Sequence, residues 1–95
     1  MKLYTVQISD AAGRQLAKLP QKDQQRINAK IVALAKNPRP PDSVKLAQSG
    51  ALEQYRIRSG DYRIIYEVHE HVLLVLVVRI AHRSKVYRQL ERLRR

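Results

Sequence analysis

Arg56 and Arg58 precede a Gly60-Asp61 dipeptide and Arg63 follows it, while His82-Arg83-Ser84-Lys85-Val86-Tyr87 comes shortly after the longest apolar run of the chain. Guanidinium groups bind phosphate oxygens through paired hydrogen bonds. An arginine can also stabilise the charge that develops on a phosphoryl group in transfer, and His, Lys or Tyr can move protons. These residue types point to a polyanion as the ligand. Against that stand plainer readings: a basic strand face is often just solvated, a lone histidine is more often structural than catalytic, and Tyr87 sits one position from an apolar stripe. An exposed tyrosine in such a place can equally stack on a nucleobase.

Other hydrolytic chemistries find less support. The carboxylates Asp10, Asp23, Asp42, Glu53, Asp61, Glu67, Glu70 and Glu91 are scattered, with no D-x-D pattern for a two-metal site. His69 and His71 beside Glu67 or Glu70 form an i, i+2 pair at a hairpin tip without further clear zinc ligands. A two-histidine mechanism is disfavoured because an extended segment from His71 to His82 spans up to roughly 36 Å. No glycine-rich phosphate loop or nucleophile elbow occurs.

Positioning these residues requires a sheet. Gly60-Asp61 is a dipeptide that closes two-residue hairpins; with Ser59 opposite Tyr62, Arg58 falls opposite Arg63 and Arg56 opposite Ile65, so the three arginines share one face. Tyr55, Ile57, Ile64, Tyr66 and Val68 form the other, apolar face. Residues 3–8 alternate as a strand, and Val72 to Val78 is apolar throughout, which predicts a central strand covered on both sides. Between them, Ser9 or Asp10 caps a helix carrying Ala12, Leu16 and Leu19. Pro20 suits the first turn of a second, with Ile27, Ile31 and Leu34 on its buried stripe, ending at Asn37-Pro38. Lys22, Arg26 and Lys30 line that helix's outer side as a solvated stripe that can extend a polyanion footprint. The proline-rich stretch to Gly50 reads as a loop. Ser84 is a candidate cap for a short last helix with Val86, Leu90 and Leu93 on one stripe. The expected architecture is α+β: a helical hairpin on a small, largely antiparallel four-stranded sheet, with a short C-terminal helix, all in one domain over residues 1–95.

Composition agrees with such a reading. Lys and Arg number 19 and Asp and Glu 8, for a formal net charge of +11 over 95 residues, which favours a nucleic acid or an acidic protein as partner. With 44% apolar residues but no Phe or Trp, the core must be largely aliphatic. The absence of cysteine excludes a disulfide framework and thiolate metal sites. No signal-like or membrane-length apolar segment is present, so a cytoplasmic protein without membrane attachment is expected.

The order of elements, together with Tyr55-Arg56-Ile57-Arg58, Tyr62-Arg63-Ile64-Ile65-Tyr66 and His82-Arg83 to Val86-Tyr87, resembles the RelE family of bacterial toxins in the RelE/ParE superfamily. The resemblance spans nearly the whole chain. It implies a type II toxin that enters the ribosomal A site and cleaves translated mRNA without metal or other cofactor, through attack by the ribose 2′-oxygen. By position, it assigns cleavage roles to Arg56, Arg58, Arg63, Arg83 and Tyr87. Some members have lysine where this chain has Arg56 and Arg58, and arginine is a poor general base; His82 is a candidate for the missing titratable group. The implied partners are the ribosome, mRNA and an acidic antitoxin that folds on binding. ParE-like inhibition of DNA gyrase and a non-catalytic RNA-binding or ribosome-associated module are the alternatives.

Overall fold

The computed structural model describes residues 2–85. The chain runs β1 (Thr5–Ile8), α1 (Asp10–Ala17), α2 (Gln21–Ala33), β2 (Val44–Ser49), β3 (Leu52–Ser59), β4 (Tyr62–His69), a single 3-10 turn (Glu70–Val72) and β5 (Leu74–His82). Residues 83–85 are helical. The expected Val86, Leu90 and Leu93 stripe, and Tyr87 with it, lie outside the described residues.

The five strands lie in the order β1-β5-β4-β3-β2, with β1 parallel to β5 and every other pair antiparallel. This confirms the α+β class and corrects the strand count from four to five. The additional strand, β2, lies in the stretch expected to be a loop. It is an edge strand with mostly exposed side chains, and its pairing shifts between Lys45 and Ala47. An edge with little to bury and an interrupted alternation carries no hydrophobic period to read.

α1 and α2 pack on one face of the sheet. Ala12 and Leu16 from α1, and Ile27, Ile31 and Leu34 from or just after α2, meet Ile57, Ile64, Val68, Val75 and Val77 in one buried cluster. Two tyrosines join them: the rings of Tyr55 and Tyr66 stack at 5.7 Å, and the buried Tyr66 hydroxyl donates to the Pro38 carbonyl at 2.6 Å. That bond fastens the proline-rich segment to the middle of the sheet.

The helix boundaries differ in detail from expectation. Ser9, rather than Asp10, caps α1 by accepting the Ala12 amide at 3.1 Å. Pro20 is the residue before the first turn of α2 instead of within it, and α2 ends at Ala33 with Leu34 as its C-cap. β5 also begins later than expected, since Val72 belongs to the 3-10 turn and Leu73 takes a left-handed conformation (φ 49°). It is the inner neighbour of β1 while β4 is central, and its two faces are buried unequally: Val75 and Val77 are fully buried, whereas Leu74 and Leu76 are half-buried on the opposite face.

Candidate active site

The hairpin forms in the register expected from its turn. Gly60 has φ 58°, the left-handed geometry that glycine adopts without a Cβ penalty, and Ser59 pairs Tyr62, Arg58 pairs Arg63, and Arg56 pairs Ile65. Continuing across β4 to β5, Arg63 pairs Ala81 and Ile65 pairs Arg79. Directly paired residues point to the same face, so two adjacent rows cross three strands: Arg58, Arg63 and Ala81, then Arg56, Ile65 and Arg79. Successive rows are about 7 Å apart along the strands. The helices lie on the other side of the sheet; within these rows Ile65 is buried and Arg79 half-buried.

The arginines differ in what they can offer a ligand. Arg58 is exposed and Arg56 half-buried. Arg63 is only 7% exposed, and its Nη1 donates to the carbonyls of Gly60 at 3.1 Å and Tyr62 at 3.0 Å, so it braces the turn as well as facing outward. Arg79 was not singled out by the sequence, for a reason visible in β5. Ile65 pairs Arg79 but the next residue, Tyr66, pairs Val77, which leaves Val78 as an extra residue in the strand. Uninterrupted alternation from Val75 and Val77 would turn Arg79 toward the helices and Ile80 away. The bulge reverses them, burying Ile80 to 2% exposure and delivering Arg79 to the arginine face. Beyond the end of β1, α1 takes over that side of β5: Gln15 Oε1 accepts the Ile80 amide at 2.8 Å.

His82 is placed elsewhere. It pairs Tyr62, on the face opposite the arginines, and its ring meets that of Tyr62 edge-on at 5.8 Å. Its Nδ1 lies 3.1 Å from Ser84 Oγ and 3.4 Å from the Ser84 amide. His82 therefore occupies the capping position expected of Ser84, which is itself within the helical turn. Arg83 follows immediately, exposed, with its amide donating to Asp61 O at 2.8 Å. This bond ties the start of the last helical turn to the hairpin turn, at the same sheet end as the Arg58 and Arg63 row.

The carboxylates mostly serve elsewhere. Arg39 bridges Glu53 and Glu70, the latter at 2.8 Å, while Lys45 holds Glu53 at 2.9 Å and Lys30 holds Asp42 at 2.8 Å. Hydrogen bonds from Lys45, Arg39 and Lys30 lower the carboxyl pKa values of Glu53, Glu70 and Asp42 respectively. Glu67 and His69, 3.0 Å apart, are titratable groups on the arginine face, but they lie one and two rows beyond Ile65 toward the opposite strand ends. Among the described residues no three His, Asp or Glu side chains are grouped to hold a metal ion, and no helix is long and apolar enough to cross a membrane. Of the α2 cations, Arg26 and Lys30 border an open groove with Arg58, Ser59 and Gly60, so that stripe adjoins the arginine end of the sheet.

Comparison with known proteins agrees with this architecture. Residues 6–87 match the family model described as the ParE toxin of the type II toxin–antitoxin system parDE. Toxin RelG of Mycobacterium tuberculosis is 29% identical over 89 residues, spanning 90% of this chain and 98% of that protein. The archaeal RelE–RelB complex from Pyrococcus horikoshii OT3 contains a chain 30% identical, with a TM-score of 0.81 and coverage of 87% of this chain and 98% of that one. The toxin–antitoxin complex RelBE2 of Mycobacterium tuberculosis follows at 26% identity and a TM-score of 0.73, covering 88% and 95%. A helical hairpin on one side of a five-stranded sheet, an arginine face on the other, and these likenesses over nearly the whole chain lead to one conclusion: the chain belongs to the RelE/ParE toxins of type II toxin–antitoxin systems, and within them to the RelE family.

Proposed function

We propose that this toxin is a ribosome-dependent endoribonuclease that cleaves translated mRNA in the A site without a metal ion. The observation that carries the reading is the sheet face opposite the helices, on which Arg56, Arg58 and Arg63 occupy adjacent rows. Like charges opposed across strands destabilise a sheet by a few tenths to ~1 kcal/mol, and an RNA phosphate lying across the face offsets that repulsion. In this reading the ribose 2′-oxygen attacks the adjacent phosphorus as the bond to the 5′-oxygen breaks, leaving a cyclic phosphate and a 5′-hydroxyl. Arg56, Arg58 and Arg63 hold the phosphate region, Arg83 stabilises its developing charge, and Tyr87 stacks on or orients a base. His82 reaches the phosphate only around the end of β5, so His82→Ala is expected to reduce cleavage less than Arg83→Ala.

Among the described residues no acid and base are paired at the arginine rows, which is why the ribosome is part of the proposal. Little cutting of naked RNA is expected, against efficient cutting of mRNA on translating ribosomes, unaltered by EDTA at concentrations that leave ribosomes intact. Mapping of mRNA 5′ ends reads both, and comparable rates on free RNA would remove the ribosome requirement. Such a target places the protein in the cytoplasm.

The neighbouring structures are complexes with RelB antitoxins, and a charge of +11 suits an acidic, partly disordered antitoxin segment here. That segment is proposed to cover the arginine face or to displace the element bearing Tyr87. Association should slow as salt rises, while apolar contacts keep dissociation slow. The description of the matching family model favours a second reading, ParE-like inhibition of DNA gyrase. Supercoiling by purified gyrase distinguishes the two, and is expected to proceed unhindered.

A further inference from the structure

We infer that Arg79 is a further substrate-positioning residue, whose guanidinium holds a phosphate of the RNA strand on the Arg56 row. This inference rests on the proposed ribonuclease reading and adds to it a residue that neither the hairpin register nor the resemblance supplied.

Three observations converge on Arg79. Its Nε is shut off from solvent and has no hydrogen-bond partner among the described residues. Buried donors in folded proteins are nearly always paired, and leaving a charged one unpaired is costly. The second observation is its position. Arg79 and Arg56 flank Ile65 in one row, with backbones roughly 10 Å apart across two strand spacings, and the Arg58 and Arg63 row lies beside them. The unpaired donor therefore lies in the row beside the opposed Arg58 and Arg63, where a phosphate oxygen supplies the acceptor that Nε lacks once it displaces what covers that atom. Third, the position depends on the Val78 bulge. Bulges recur beside active sites because they re-aim a side chain, and this one does so while Gln15 satisfies the exposed edge of β5 at Ile80.

Arg63 makes the contrast. Its Nη1 is already engaged by the Gly60 and Tyr62 carbonyls, so part of its donor capacity holds the turn. Arg79 Nε has no such task. The division of labour assigns Arg63 to the row nearest the turn and Arg79 to the next phosphate along the strand.

The test uses the purified toxin with a 2′-O-methyl RNA oligonucleotide, which cannot provide the attacking hydroxyl, and follows the Arg79 Nε–H resonance by NMR, assigned by its loss in Arg79→Lys. The oligonucleotide is expected to shift that resonance. Arg79→Ala should weaken oligonucleotide binding by about tenfold and lower the slope of log affinity against log salt by about 0.7, the value for one phosphate contact on a single strand. Its melting temperature should match or exceed that of the parent, because an unpaired charge has been removed. A substantially lower melting temperature with unchanged binding would make Arg79 structural and overturn the inference. So would an Nε–H signal that responds to an acidic antitoxin peptide but not to RNA, or to neither. If the parent toxin binds the oligonucleotide through Arg79 but fails to cut mRNA on ribosomes, the ribonuclease reading fails while the phosphate contact stands.

Discussion

Replacing Arg63 with alanine sets two effects of opposite sign against each other, and the structure decides which prevails. Removing the guanidinium relieves its opposition to Arg58 across the β3–β4 pair, worth about 0.2–1 kcal/mol. The same change deletes the Nη1 bonds to the Gly60 and Tyr62 carbonyls. Nη1 carries two N–H groups, one for each carbonyl, but the two bonds share one partly solvated cation, so together they are taken as ~1.5–3 kcal/mol. The exposed turn lets water replace part of that, so the net expectation is a loss of roughly 1 kcal/mol, equivalent to a melting temperature lower by about 4–8 °C for a domain of this size. Arg58→Ala relieves the same repulsion with no such carbonyl bond to lose among the described residues, and should melt at or above the parent. Circular dichroism melts of parent, Arg58→Ala and Arg63→Ala, with cleavage on ribosomes measured well below the lowest transition, separate stability from activity. Cleavage by Arg63→Ala should fall by at least ~100-fold, the scale of removing one charge-stabilising donor. If Arg63→Ala melts at or above the parent, the bracing role is wrong; if it folds and remains fully active, the site assignment is wrong.

Tyr66→Phe should lower stability by about 1–3 kcal/mol in urea titrations, since it leaves the buried Pro38 carbonyl without its donor; an unchanged midpoint would mean that the bond contributes nothing net. Gly60→Ala should lower it by about 1–2 kcal/mol, because φ 58° disfavours a Cβ although there is open space around it, and calorimetry showing no loss would contradict the turn geometry. Acid sensitivity follows from Glu53, Glu70 and Asp42, whose carboxyl pKa values are lowered by hydrogen bonds from Lys45, Arg39 and Lys30 respectively. Their contribution is complete above the unfolded carboxylate range near pH 4, and is lost as pH falls through the lowered folded values. Melting temperature should therefore drop below about pH 4, and drop less steeply in Glu53→Gln or in high salt. Equal acid slopes in parent and variant would exclude Glu53 from that effect.

The arginine hairpin was readable in advance because a two-residue turn is a local device: once Gly60-Asp61 is recognised, every cross-strand partner from Ser59 and Tyr62 outward follows by counting. The same locality exposed the helical pair, where Ala12 and Leu16, and then Ile27 and Ile31, recur at helical spacing above a buried face. β2 escaped notice because it is an exposed edge whose pairing slips at Lys45 to Ala47, so its place comes from hydrogen bonds to β3 rather than from any buried pattern. Adjacency groups His82 with Arg83, yet His82 is the last residue of β5, paired with Tyr62 on the face opposite the arginines, while Arg83 begins the helical turn.

Local chemistry in the chain thus established the arginine register, the apolar faces and the excess of positive charge, because each depends on residue type and spacing alone. The position of Arg79 required the fold. A bulge at Val78 is a mismatch between two strands, and it exists only once β4 has fixed one side of β5 while α1, through Gln15, bonds the edge that β1 leaves open. No run of residues within β5 encodes that offset, since burial of Ile80 and delivery of Arg79 to the arginine face are settled together by the packing of separate elements.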